Sequence, residues 1–299
     1  MNFADSLLRA VERVETPLGI GLDPHLDKLP LFLRQTYDGL SGEAYWQAAA
    51  EAVVAFNEMV IAAVQGKVAA VKPQFAFYEQ LGSFGWAALE ATCQLAREAD
   101  LLIIGDAKRG DISSTGAAYA RAILDPLGPL NCDAVTLNPW MGVDTLDPFL
   151  ELCRSEGKGV FVLVRTTNPQ SAYLQHHGEP TASERLARKL KEIGQDFVGE
   201  LGFSSIGAVV GATASEEARE IRSWMPNSWF LVPGVGAQGG GVKQALAGTT
   251  ESKKGSLVVS SRSLLFPPDR GPEYDRSPEG VVECISRAVV DLGRSLAAV

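Results

Sequence analysis

Eight short apolar runs, each followed by polar residues and then by a helical pattern, constrain this chain more than any other feature. They are Leu18–Leu22, Val68–Val71, Leu101–Gly105, Ala134–Leu137, Val160–Val164, Ile206–Val210, Trp229–Val232 and Leu257–Val259. Runs of this length, apolar at successive positions, suit parallel strands covered on both faces. After the first of them, Ser41 opens a stretch with Ala49, Val53, Phe56, Val60 and Val64 at helical spacing. Ser215, followed by Glu216 and Glu217, reads as the cap of another helix, with Pro226 beyond its end. Further helices are expected over Phe84–Arg97, Ser114–Leu124, Leu146–Arg154, Ser183–Glu200 and Pro278–Leu296. Eight strands alternating with helices predict an α/β chain closed into a (β/α)8 TIM barrel, one domain over residues 1–299. The long stretches Asp23–Gly42 and Thr167–Thr181 both follow strand ends, so they are read as extended loops at the C-terminal face.

In such a barrel the C-terminal strand ends converge on one mouth, which makes the residue closing each strand a candidate for chemistry. Here those residues are Asp23, Lys72, Asp106 with Lys108, Asn138, then Arg165, Thr166 and Thr167; strand seven runs into Pro233 and strand eight into Ser260, Ser261 and Arg262. On strand three the two-residue period puts Asp106 and Lys108 on one face, and Asp111 follows in the same polar run. An isolated Asp-x-Lys is usually an idle surface ion pair. Its weight here comes from company. Gly234, Gly236, Gly239, Gly240 and Gly241 allow close backbone approach, and a helix starting near Gly241 would aim free N–H groups at an anion. Gln238 and the forked guanidinium of Arg262 supply further donors for a phosphate group.

The formal net charge of −9 argues against general nucleic-acid binding, so a bound phosphate must be gripped by local cations and N–H groups. No apolar run approaches the roughly 20 residues of a membrane span. The start carries Asp5, Glu12 and Glu15 and reads as an amphipathic helix rather than a signal peptide, so no membrane partner is expected. Cys93, Cys132, Cys153 and Cys284 are scattered without metal-ligand or framework spacing, which fits a reducing, cytoplasmic setting and no metal. No Walker loop or dinucleotide fingerprint follows the first strand, and no cofactor is expected. His25, His176 and His177 read as loop residues, and Phe75 and Tyr78 as packing.

Taken together, DAKRGDI at Asp106–Ile112, VKPQFAFYEQ after strand two, RTTNP at Arg165–Pro169, VPGVGAQGG at Val232–Gly240 and SSR at Ser260–Arg262 closely resemble orotidine 5′-phosphate decarboxylase. The long loops and NPWMG at Asn138–Gly142 are similar to the bacterial type 2 subfamily. The resemblance extends from Gly19 to the eighth strand. It implies cofactor-free decarboxylation of orotidine 5′-monophosphate to uridine 5′-monophosphate in pyrimidine biosynthesis. It assigns Lys72, Asp106, Lys108 and Asp111 to an alternating charged network, with Lys108 as proton donor. It also implies a homodimer in which Asp111, Ile112 and Thr115 reach the partner's site. Asp23 and Lys72 would hold ribose hydroxyls; Gln238 and Arg262, with backbone N–H groups around Gly236, Ala237 and Ser261, would hold the phosphate. Asn138 and Pro233 complete the substrate-facing set. The family usually has serine where this chain has Thr167, the residue expected at the pyrimidine, and neighbouring Thr166 competes for that contact.

The competing readings are a metal-dependent sugar-phosphate decarboxylase, a Schiff-base aldolase using Lys72 or Lys108, and a non-catalytic nucleotide-binding barrel. A lysine nucleophile must lose its proton, which neighbouring carboxylates resist, so the Asp106/Lys108/Asp111 surroundings disfavour the aldolase.

Overall fold

The structure is a computed structural model that describes residues 1–235 and 241–299. Its strands are β1 (Leu18–Leu22), β2 (Ala70–Pro73), β3 (Leu102–Arg109), β4 (Ala134–Leu137), β5 (Gly159–Arg165), β6 (Ser204–Val210), β7 (Ser228–Pro233) and β8 (Ser256–Ser260). They pair in parallel in sequence order, and β1 closes on β8, so the TIM barrel expected from the eight runs is the fold observed. Each strand overlaps its expected run. The largest extension is in β3, which continues four residues past Gly105 to Arg109.

A two-residue alternation sorts the strand side chains. Ala70, Ile104, Ala134, Phe161, Val209, Leu231, Leu257 and Val259 form one buried cluster inside the barrel. Residues of the opposite parity, among them Val71, Ile103, Val135, Val160, Val162 and Val258, join the larger cluster under the surrounding helices. Helix α1 (Phe3–Val14) contributes Phe3, Leu7 and Leu8 to the inner cluster and stoppers the N-terminal end of the barrel. Phe3 meets Phe161 edge-on at 5.8 Å, the Trp229 indole N–H donates to Ala4 O at 3.3 Å, and buried Asp5 accepts the N–H groups of Glu200 and Leu201.

Helix Gly42–Val64 buries Ala49, Val53, Phe56, Val60 and Val64, the helically spaced set. By length and composition it could cross a bilayer, contrary to the expectation of no such run, but its most apolar stretch is 61% buried against the rest of the protein. Ser41 occupies its N-cap position without a side-chain capping bond. Ser215 does not cap its helix. The Ala218 N–H bonds back to Ala214 O at 2.8 Å, which makes Ala214 the half-in residue and Ser215 the first helical one. The two long loops carry short helical turns, Leu26–Lys28 and Leu31–Arg34 in one and Ser171–Gln175 in the other.

Candidate active site

The inward parity of the strands continues past the apolar layer and becomes polar at the mouth. On β2 it passes from Ala70 to Lys72 and then Gln74, on β3 from Ile104 to Asp106 and Lys108, on β4 from Ala134 to Thr136 and Asn138. The polar residues of this series line a cavity of about 1340 Å³, and Asp23, Thr167, Pro233, Ser261 and Arg262 complete its lining. Asp23, Lys72, Asp106, Lys108, Asn138, Thr167, Pro233 and Arg262 are thus brought together as expected. Arg262 is exposed and begins the short helix Arg262–Leu265 just beyond β8. Gly241 is the N-cap of a single helical turn, Val242–Ala245. Gln238, with Gly236 and Ala237, lies outside the described residues.

Asp106 is the hub. Lys72 Nζ lies 2.5 Å from its Oδ2 and Lys108 Nζ 2.5 Å from its Oδ1. Gln74 Nε2 donates to Oδ2 at 2.9 Å, and the Thr136 hydroxyl donates to Oδ1 at 2.9 Å. Each carboxylate oxygen therefore accepts two hydrogen bonds, the full capacity of its lone pairs. Burial alone would raise the Asp106 pKa; the charges of Lys72 and Lys108 and their hydrogen bonds outweigh it and hold the carboxyl well below the usual range. Burial likewise opposes the Lys72 ammonium, yet Asp106, then Asp23, raise its pKa above the ordinary lysine value. The two lysines differ in access: the Lys72 side chain is 6% exposed and that of Lys108 44%, so only the Lys108 ammonium opens widely onto the cavity. Among the described residues, buried Asp23 Oδ1 has no hydrogen-bond partner.

Lys108 adopts a left-handed backbone conformation with φ 47°, uncommon outside glycine. The cause is local. β3 and β4 pair at Ile104↔Ala134 and Gly105↔Val135, then next at Arg109↔Leu137, so β3 holds two more residues than its partner across this step.

The loop after β5 separates the two threonines. The Thr166 hydroxyl is committed to Asn168 Oδ1 at 2.7 Å and accepts from Gln175 Nε2 at 2.8 Å. Arg165 ties the same turn down by donating to Thr166 O and Ser171 Oγ, while Glu217 holds its guanidinium at 3.1 Å. Thr167 stands over Gly211, where a Cβ would collide with its methyl group. The extra methyl that distinguishes it from serine is therefore housed by a glycine.

Asp111 and Thr115 are not part of this cavity in the single chain. Asp111 accepts its neighbour Ile112's N–H at 2.8 Å, and Thr115 is exposed on helix Ser113–Leu124. Gln74 and Thr136 were not foreseen from sequence. Extending the inward alternation one step beyond Lys72 and Ala134 points to both. Phe75 and Tyr78 are buried beneath the mouth, where the Tyr78 hydroxyl accepts from Asn57 Nδ2 at 2.9 Å. His25 packs on Phe77 with ring centroids 4.4 Å apart.

A closed parallel barrel with a doubly cation-bridged carboxylate on the floor of its C-terminal mouth defines a TIM-barrel enzyme. The mouth concentrates positive charge locally on a protein of net charge −9. The chain belongs to the orotidine 5′-phosphate decarboxylase / HUMPS family, whose model matches residues 18–276. It is 40% identical over 272 residues to the orotidine 5′-phosphate decarboxylase of Rhodopirellula baltica, covering 89% of each chain. It is 39% identical over 265 residues to that of Clostridium tetani, covering 88% of each. The solved structure of Leishmania donovani OMP decarboxylase superposes with a TM-score of 0.71 at 32% identity, covering 97% of this chain and 99% of that one.

Proposed function

We propose that this chain is a cofactor-free orotidine 5′-phosphate decarboxylase of the bacterial type 2 subfamily, acting in the cytoplasm as a single-domain subunit of a homodimer. The observation that carries the reading is Asp106 held between a buried lysine and an open one. Loss of CO2 from C6 of the pyrimidine leaves an electron pair in the ring plane, where the π-system delocalises it poorly. Stabilisation must come from a fixed cation beside that carbon, and Lys108 is the ammonium with access to the cavity. Asp106 holds and points the Lys108 ammonium, and Lys72 neutralises the second Asp106 oxygen and supports the ribose with Asp23. As CO2 leaves, Lys108 Nζ transfers a proton to C6 and the ring returns to neutrality.

The remaining residues grip the substrate away from the reacting carbon. Arg262 and the Ser261 N–H, with Gln238, take the phosphate, and Asn138 and Pro233 line the substrate-facing wall. Binding energy from the remote phosphate holds the base against Lys108. Thr167 meets the pyrimidine in preference to Thr166, whose hydroxyl is already engaged. Asp111 and Thr115, outside their own cavity, serve the partner's. A metal-dependent reaction has less support, because a carboxylate with four donors has no lone pair left for a cation.

The test is a spectrophotometric decarboxylation assay on purified protein with orotidine 5′-monophosphate, with and without chelator. Chelator-insensitive turnover that falls by at least about 10³-fold in Lys108→Ala is expected. Near-normal turnover in that variant would remove Lys108 as the proton donor.

A further inference from the structure

We propose that Thr136 is a positioning residue for the reaction, its hydroxyl setting the place of the Lys108 ammonium through two simultaneous hydrogen bonds. The inference rests on the decarboxylase reading and adds to it a residue on a different strand from the charged groups. Thr136 sits on β4 at 1% exposure, on the inward parity that continues from Ala134. Its Oγ1 accepts the Lys108 backbone N–H at 3.0 Å and donates to Asp106 Oδ1 at 2.9 Å. Asp106 Oδ1 is the oxygen that holds Lys108 Nζ. One hydroxyl therefore touches both the main chain from which the Lys108 side chain departs and the carboxylate that receives its far end.

The backbone explains why a hydroxyl is needed there. Where β3 gains two residues on β4, the regular ladder lapses between Gly105 and Arg109, and the Thr136 side chain takes the Lys108 N–H in its stead. At the same residue φ is 47°, a left-handed conformation that an L-residue keeps only where its surroundings enforce it. The Thr136 bond is one of those enforcing contacts. Without it the Lys108 N–H loses its acceptor, Asp106 Oδ1 loses a donor, and the Cα–Cβ direction of Lys108 is free to relax. A displacement of about 1 Å at a reacting group is enough to lower a rate about 10²-fold.

Thr136→Val keeps the branched shape and removes the hydroxyl; Thr136→Ser keeps the hydroxyl and removes the methyl. With orotidine 5′-monophosphate, Thr136→Val is expected to lower kcat about 10- to 100-fold with KM within about threefold of wild type. Thr136→Ser is expected to stay within about threefold in both. A second readout needs no turnover: hydrogen exchange at the Lys108 amide, followed by NMR, is expected to accelerate at least about tenfold in the valine variant and not in the serine variant. If the valine variant does not fold, Thr136→Cys, with its weak hydrogen-bonding thiol, takes its place in both measurements. Unchanged kcat or unchanged Lys108 exchange in the hydroxyl-free variant overturns the inference, as does a folded serine variant as impaired as the valine one. Absence of turnover in wild type would instead strike the decarboxylase reading, while the exchange measurement still reports on the hydroxyl–amide bond.

Discussion

Replacing Lys72 with methionine tests whether the buried charges are as interdependent as their geometry requires. The substitution keeps an unbranched chain but removes the ammonium 2.5 Å from Asp106 Oδ2. Asp106 is 6% exposed, so water cannot replace the lost partner. Breaking a buried ion pair by deleting one member costs about 3–5 kcal/mol. Asp106 would retain Lys108, Gln74 and Thr136, which favours the lower end, about 3 kcal/mol at neutral pH. At an m-value of about 3 kcal/mol/M, the urea midpoint falls by about 1 M. The pH dependence carries the sign. In the wild type the Asp106 carboxyl is held below its unfolded value of about 3.9, so its stabilisation is present above that pH and lost as pH falls below it. The raised Lys72 pKa is the same interaction seen from the base: its stabilisation is present below about 10.4 and lost as pH rises beyond that. In Lys72→Met, protonating Asp106 relieves the unpaired charge, so the deficit should shrink as pH is lowered toward about 4. Adding Asp106→Asn should recover more than half of the loss at neutral pH. A deficit under about 1 kcal/mol, or a double variant as unstable as the summed single ones, would refute the charge-burial reasoning.

Arg262→Ala should lower kcat/KM for orotidine 5′-monophosphate about 10- to 100-fold and leave the weak turnover of the bare nucleoside nearly unchanged; equal losses on both would remove the phosphate role. Gly211→Ala should raise KM, because the new Cβ displaces the Thr167 methyl, and adding Thr167→Ser should restore much of the loss by removing that methyl. Mixing the inactive variants Asp111→Ala and Lys108→Ala should regenerate roughly a quarter of wild-type activity if half the dimers are mixed and each has one intact site. No regeneration after exchange of subunits would mean that Asp111 does not serve its partner.

What the sequence made legible followed from period. Apolar runs located all eight strands, and the residues at or just beyond their ends located Asp23, Lys72, Asp106, Lys108, Asn138, Thr167, Pro233 and Arg262 around one cavity. Four things escaped, each for a physical reason. The irregular step in β3 is a property of two strands at once, so neither segment announces it. Thr136 sits in an ordinary strand sequence, AVTL, and becomes notable through the Asp106 and Lys108 groups it meets on the neighbouring strand. Ser215 has the composition of a cap, yet the loop after β6 starts the helix one residue earlier, at Ala214. The engagement of the Thr166 hydroxyl was likewise hidden. It turns on Gln175, nine residues from Thr166 and brought back by a short helix.

The stopper formed by α1 has a consequence in time as well as in space. Its last residue, Val14, is made long before the groups that seat the helix, which lie far along the chain: Asn2 donates to Phe197 O, Ala4 N–H to Ser205 Oγ, and Trp229 to Ala4 O, a separation of 225 residues. A ribosome adding about 5–20 residues per second leaves the apolar face of this helix without its socket for roughly ten seconds or more. A helix made well before its socket is thus among the last elements that can dock, and closure of the barrel floor waits on strands about 200 residues further along. Contacts of such sequence separation slow folding because the loop must close before they contribute. During that interval Phe3, Leu7 and Leu8 are exposed together on one helix face, a surface suited to a chaperone before it becomes the base of the barrel.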